Sequence, residues 1–278
     1  MDPVAAAALA SWRLDLRLLC LLGVATWIYL RGWRQLHRDS PRRYPLLRLI
    51  SFLAGLAAVF IALASPLDAF GGLLLQVHMI QHLLLIMVAP PLIWIGQPVL
   101  AFLRGMPRSW LKDGLGPFLT WPALRRFGRF ITHPIICWVS LALAIVFWHL
   151  PRFYELGLRS QAWHEVQHAC FFSAALLFWW PVIQVWPSHA KWPRGAMIPY
   201  LIAADLVNTA LSAFLSFSDH VVYPSYSLAP RLGGISALDD QATAGAIMWV
   251  PGSIAFLLPA VILTVRLFNP SLSRHARS

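Results

Sequence analysis

His78-Met-Ile-Gln-His82 and His164-Glu-Val-Gln-His168 share one pattern, H-x-x-Q-H, and each opens a long apolar stretch. On a helix, residues four apart share one face with Cβ atoms about 6 Å apart. Each pattern therefore presents two imidazoles side by side, as a metal ion needs. Imidazoles at membrane depth are costly unless they are paired, hydrated or coordinated. A lone membrane histidine is ordinarily a packing residue, but two matched pairs point to a metal or cofactor. His78, His82, His164 and His168 are thus the candidate metal ligands.

Three chemistries use such pairs. His164-Glu165-Val-Gln-His168 also reads H-E-x-x-H, the zinc-peptidase pattern in which Glu is the general base. The first pair carries Met79 where Glu165 stands, so the residue common to both is Gln, at Gln81 and Gln167. A peptidase would also need a third zinc ligand and a cleft. Haem clamped by facing histidines is a second option, but its ligands usually recur two to four turns apart, whereas these lie one turn apart. The third is an ion held by imidazole with help from thioether or carboxylate. Imidazole suits copper and zinc alike, and thioether selects Cu(I). Met79, Met248, His149 and Asp240 are second-line ligands, with Gln81 and Gln167 as partners that orient imidazoles. A scaffold in which the histidines merely pack is the remaining alternative.

The elements carrying these residues belong to a membrane protein. Apolar residues make up 59% of the 278 and charged residues 12%, against about 25% charge in soluble domains. A net charge of +11 would suggest nucleic acid in a soluble chain. Here the basic residues cluster in short loops between apolar runs, which fits membrane orientation and excludes nucleic acid as the partner. Cys20, Cys137 and Cys170 are scattered without a C-x-x-C, which argues against a thiolate site or a disulfide framework. With Asp2, no early basic cluster and no A-x-A-like site, no cleavable signal peptide is expected.

Apolar runs of about 20 residues can cross the hydrocarbon core. Seven are expected, at 16–33, 46–64, 73–95, 134–149, 163–184, 197–217 and 244–266, forming one all-α polytopic helix bundle over 1–278. Arg17 must snorkel out of the first. One set of alternate loops carries Arg31, Arg34, Arg38, Arg42, Arg43, Arg48, Arg104, Arg108, Lys112, Arg125, Arg126, Arg129, Lys191, Arg194, Arg266, Arg274 and Arg277. The other carries only Arg13, Arg17, Arg152, Arg159 and Arg231. The positive-inside rule then predicts N-out and C-in. His78, His82, His149, His164, His168 and His220 fall toward the outer side, and His37, His133, His189 and His275 toward the cytoplasm. Asp68, Glu155, Asp219, Asp239 and Asp240 are also outer, against Asp39 and Asp113 inside. The third and fifth helices run in the same direction, and their histidine pairs should face each other.

Three further features bear on architecture. Trp121, Leu124, Phe127 and Phe130 line one side of a possible helix with Arg125, Arg126 and Arg129 elsewhere, a pattern of a helix lying in the cytoplasmic interface or, the commoner case, of a plain positive-inside anchor. Pro90-Pro91 should kink or end the third span. Asp205 and Asn208 share a face of the sixth span, where a carboxylate is either functional or hydrogen-bonded to a neighbouring helix.

The run His78-Met-Ile-Gln-His-Leu-Leu-Leu-Ile-Met-Val-Ala-Pro-Pro-Leu-Ile-Trp-Ile-Gly-Gln-Pro98 closely resembles the signature of the multi-spanning cytochrome c oxidase assembly factors, the CtaG-type family associated with caa3-type oxidases. The resemblance continues through Trp148-His149-Leu150-Pro151, Trp163-His164-Glu165-Val166-Gln167-His168 and Asp240-Gln241-Ala242-Thr243-Ala244-Gly245, and so covers most of the chain. It implies seven spans and a role in maturing haem–copper oxidase by helping to install copper. The resulting expectation is a non-enzymatic, multi-pass inner-membrane protein that binds copper at its periplasmic-side histidines. Its partners would be oxidase subunits or another periplasmic copper carrier. The alternative is a seven-span zinc hydrolase or peptidase using His164-Glu165-x-x-His168.

Overall fold

The computed structural model describes residues 10–184, 186, 192–231 and 233–269, apart from the side chains of residues 115 and 119. Asp2, His189, Lys191, Arg274, His275 and Arg277 lie outside them. The regular elements among the described residues are all helices, with no strand among them.

In chain order come α1 (Leu16–Asp39), α2 (Leu46–Ala64), the short α3 (Pro66–Gly71) and α4 (Leu75–Leu83). A π turn, Leu84–Val88, leads into α5 (Ala89–Ile95), followed by α6 (Pro98–Gly105), α7 (Gly116–Thr120) and α8 (Pro122–Ile131). Then come α9 (Pro134–His149), α10 (Pro151–Arg159), α11 (Gln161–Ile183), α12 (Met197–Phe217), α13 (Pro224–Leu228) and α14 (Ala237–Phe268).

Six helices are long and apolar enough to cross a membrane: α1, α2, Leu75–Ile95, α11, Arg194–Phe217 and α14. The chain is therefore a membrane protein. The expected fourth span, α9, has 16 residues. At 1.5 Å per residue it covers about 24 Å, short of a hydrocarbon core of about 30 Å. It qualifies only together with α8, from which it is bent by 62°, which brings the count to as many as seven. Pro134 explains the bend, because it cannot donate the N–H that would carry α8 onward. The side chains of α8 are all at least partly exposed, Phe127 at 57% and Phe130 at 60%.

Two compact units divide the chain. The first takes residues up to Pro66, Leu84–Cys137 and the stretch from Phe172. Its core stacks Tyr29 on Phe52 at 3.8 Å, and the Tyr29 hydroxyl donates to the Gly96 carbonyl at 2.8 Å. Small residues let α1 and α6 touch backbone to backbone, as membrane helices favour. A Cβ on Gly32 would lie 1.8 Å from the Ala101 carbonyl oxygen, and one on Gly105 2.0 Å from that of Ile28. The π turn marks the effect of Pro90-Pro91, which passes the span on through a widened turn instead of ending it. Pro90 cannot donate to the Ile86 carbonyl; the Trp179 indole N–H does so instead, at 2.9 Å.

The second unit takes Leu67–Leu83, Trp138–Phe171 and the chain from Ala190 onward. Its long helix α14 packs against both α12 and α4. A Cβ on Gly245 would lie 2.7 Å from the Ser216 backbone nitrogen, so only glycine permits that approach. Asn208 is buried and donates to the Met248 carbonyl at 3.1 Å, which makes it an α12–α14 tie. Asp205 is only partly buried and takes no part in that bond.

Gly32→Ala should destabilise the protein by about 1–3 kcal/mol through backbone overpacking. Gly23→Ala, where a Cβ meets nothing within 4 Å, should leave it unchanged. Thermal unfolding of both variants in detergent separates the two outcomes.

Candidate metal centre

Asp240 determines where the first histidine pair begins. Its carboxylate is buried and accepts the backbone N–H of Leu75 at 2.7 Å and of Gln76 at 3.1 Å. These are amides at the start of α4, which have no partner within their own helix. Gln241, the next residue, accepts the Val222 N–H at 2.7 Å and donates to the His220 carbonyl at 3.1 Å. Asp240 therefore acts as a cap donated by one helix to another, with both carboxylate oxygens engaged. It belongs to neither of the ligand groups found among the described residues.

α4 then carries His78 and His82, and α11 carries His164 and His168, all in the second unit. The four rings converge. Ring centroids lie 4.3 Å apart for His78 and His82, 4.1 Å for His164 and His168, 5.1 Å for His78 and His164, and 5.5 Å for His82 and His168. His149, at the end of α9, joins from the His82 side at 6.2 Å. His78, His82, His149 and His168 are buried, and His164 is half-buried.

Hydrogen bonds determine which nitrogens face inward. The Tyr226 hydroxyl donates to the Gly71 carbonyl at 2.8 Å, so it accepts from His78 Nδ1 at 3.0 Å. His78 therefore carries its proton on Nδ1 and turns the Nε2 lone pair toward the cluster. His149 Nδ1 must donate to the Ile145 carbonyl at 2.8 Å, which likewise leaves Nε2 as a lone pair. That Nε2, like His168 Nε2, has no hydrogen-bond partner among the described residues. His78 Nε2 and His82 Nε2 meet at 2.8 Å. Two lone pairs in that position repel, so without a cation one nitrogen carries a shared proton.

The ligand nitrogens of His78, His82 and His168 lie within 4.8 Å of one another. Imidazoles bound at about 2.0–2.1 Å to a common ion have nitrogens about 3–4 Å apart, so shifts of under about 1 Å would seat one. Orphaned Nε2 atoms on buried rings, in a donor set of neutral imidazoles, fit copper or zinc.

Several supporting groups gave no motif in the sequence. Tyr226 is held through Glu155, whose carboxylate accepts the Ser225 N–H at 3.0 Å and the Ser225 hydroxyl at 2.5 Å. Tyr154 stacks on Tyr223 at 3.9 Å and leans on His78 at 5.3 Å. The Tyr223 hydroxyl donates to the His149 carbonyl at 3.0 Å. Burial pushes all three phenols upward, so they stay protonated and keep donating across the physiological range. Asp68 had been read only as an outer-loop charge. Its carboxylate accepts the Gln81 side-chain N–H at 3.1 Å and stands within 4.8 Å of the ligand nitrogens of His164 and His168. Gln81 therefore serves a carboxylate as well as its own helix. Gln167 is buried against Gly157, where a Cβ would lie 3.0 Å from its Oε1. Met79 and Met248 are buried. Glu165 lies on an exposed face, accepting from Gln161 at 3.3 Å, and belongs to no ligand group.

Residues 27–269 match the family model of the cytochrome c oxidase caa3 assembly factor (Caa3_CtaG). The chain belongs to that family. It is 30% identical over 273 residues to uncharacterised proteins of Mycobacterium bovis and Mycobacterium tuberculosis, covering 95% of this chain and 40% of each relative. A Mycobacterium leprae protein is 27% identical over 266 residues, covering 92% of this chain and 38% of its own length. The chain thus spans about two fifths of the curated relatives it matches. No solved structure matches it.

Glu165→Gln should leave metal affinity unchanged. Tyr226→Phe should weaken it about 10–100-fold, the usual effect of removing a partner that orients a ligand. Competition titration with a chromophoric chelator measures both, and a large loss in Glu165→Gln would instead favour hydrolytic use of the H-E-x-x-H run.

Proposed function

We propose that this protein takes part in cytochrome c oxidase assembly by binding a copper ion at the His78–His82–His168 triad and passing it toward the oxidase, without turnover chemistry. The observation carrying this reading is the convergence of three buried imidazoles within 4.8 Å, with the His78 proton directed outward to Tyr226. A neutral imidazole set binds copper strongly yet gives it up more readily than thiolates would, which suits cargo better than a permanent cofactor. Membership of the oxidase assembly family supplies the client. The partners are then oxidase subunits or another copper carrier.

The distribution of loop arginines supports N-out and C-in orientation in the inner membrane, with the cluster on the periplasmic side, where copper is handled outside the cytoplasm. A thioether from Met79 or Met248, both buried, would add selectivity for Cu(I), and zinc is the metal to exclude.

Deletion of the protein should lower active oxidase without lowering synthesis of its subunits. Excess copper, but not zinc, should partly restore activity by mass action on the empty oxidase site. The same rescue should work for the His78→Ala, His82→Ala double variant. Fully metallated oxidase in the deletion strain at low external copper would refute the proposal.

A reporter fused after Phe268 should be active in the cytoplasm and silent in the periplasm. The reverse result would remove the periplasmic assignment of the histidines.

A further inference from the structure

A second group of ligand atoms adjoins the buried triad. Asp68, His164 and His168 offer ligand atoms that all lie within 4.8 Å of one another, and His168 belongs to both groups. The groups differ in depth and in charge. His78, His82 and His168 are buried and neutral, whereas Asp68 and His164 are half-buried and Asp68 carries the only carboxylate in either group. Asp68 is held in place by the Gln81 N–H at 3.1 Å, and Gln81 lies on the helix that carries the inner histidines. His168 Nε2 is buried and without a hydrogen-bond partner among the described residues.

We infer that Asp68, His164 and His168 form an entry position for a divalent cation, from which the ion moves to the His78–His82–His168 triad by ligand exchange around the shared His168. The inference rests on the metal-binding reading above and adds a route to it. A cation entering an apolar interior loses hydration, and a carboxylate at the rim offsets that loss where neutral imidazoles alone do not. A mixed oxygen–nitrogen set also suits Cu(II) or Zn(II), whereas the inner all-imidazole set suits either oxidation state of copper. The exchange exposes no bare ion. As Asp68 and His164 release it, His78 and His82 replace them, and His168 stays bound throughout. No electron is transferred. The proton shared by His78 Nε2 and His82 Nε2 leaves the inner site, moving to His82 Nδ1 when the ion arrives. Because one His168 lone pair serves one ion, the two positions hold one ion between them.

The test uses the full chain in nanodiscs, loaded with Cu(II) alone and, separately, Zn(II) alone, with helical content checked by circular dichroism. Wild type should bind one ion. The His78→Ala, His82→Ala double variant should still bind one, about 10–100-fold more weakly, at the entry position. Adding Asp68→Asn to that variant, which preserves the acceptor for Gln81, should abolish binding. Asp68→Asn in the otherwise native chain should slow loading in stopped-flow by at least about tenfold, and His164→Gln should do the same. A double variant that binds nothing, or whose residual binding ignores Asp68→Asn, would overturn the entry position while leaving the inner triad intact. Loading of Asp68→Asn at the wild-type rate would overturn the route. A wild type that binds no ion under any condition would overturn the metal reading itself, and this inference with it.

Discussion

Burial of several uncharged imidazoles with their lone pairs facing one another is the constraint around which the second unit is organised. Such rings repel through like dipoles and lose their water, so a fixed acceptor on an outer nitrogen stabilises the arrangement. Tyr226 does this for His78 and the Ile145 carbonyl for His149. Those ties depend in turn on others. Glu155 secures the helix that carries Tyr226, and Tyr223 occupies the carbonyl of His149. A buried network of this kind is effective only when its members are satisfied. His149 Nε2, His168 Nε2 and His82 Nδ1 are left without hydrogen-bond partners among the described residues, and on the proposed reading the ion takes up such lone pairs.

Asp240 illustrates how a costly group can be structural. A carboxylate inside a spanning helix is ordinarily a functional suspect. Here two backbone N–H groups at the start of α4 take both of its oxygens, and the positive end of that helix adds favourable charge. Gln241 pins the preceding loop, and Gly245 admits α12 to the backbone. The run Asp240–Gly245 thus sets the position and depth of α4, and with it the height of His78 and His82.

Depth and charge vary together across the cluster. The half-buried rim carries a carboxylate and the buried floor only neutral rings, so a cation would exchange electrostatic attraction for tighter enclosure as it moves inward. On the proposed reading, that gradient allows a carrier to load from water yet hold its cargo away from competing ligands.

Membrane residence, the length of most helices and the two histidine pairs were legible in the sequence because they rest on local rules: run length, charge between runs and the four-residue helical repeat. The span 46–64 falls on α2 without adjustment. The short α9 was legible as apolar, but not as a partial span, because its bend follows from how Pro134 separates two helices of different character. Asp68, Glu155 and the three tyrosines could not be read as members of the site. They lie in short connecting helices far along the chain from the histidines they serve, with no periodic spacing to announce them. Asp240 stands in the sequence as a second-line candidate beside the metal. The structure has its carboxylate accept the amides at the start of α4, a distinction invisible in sequence because a carboxylate looks the same whether it faces a cation or a row of amides. The sequence determined the kinds of ligand and their pairing on each helix. Only the tertiary structure decided which nitrogens face inward and which carboxylate stands beside them, because both depend on partners brought together by helix packing across long chain separations.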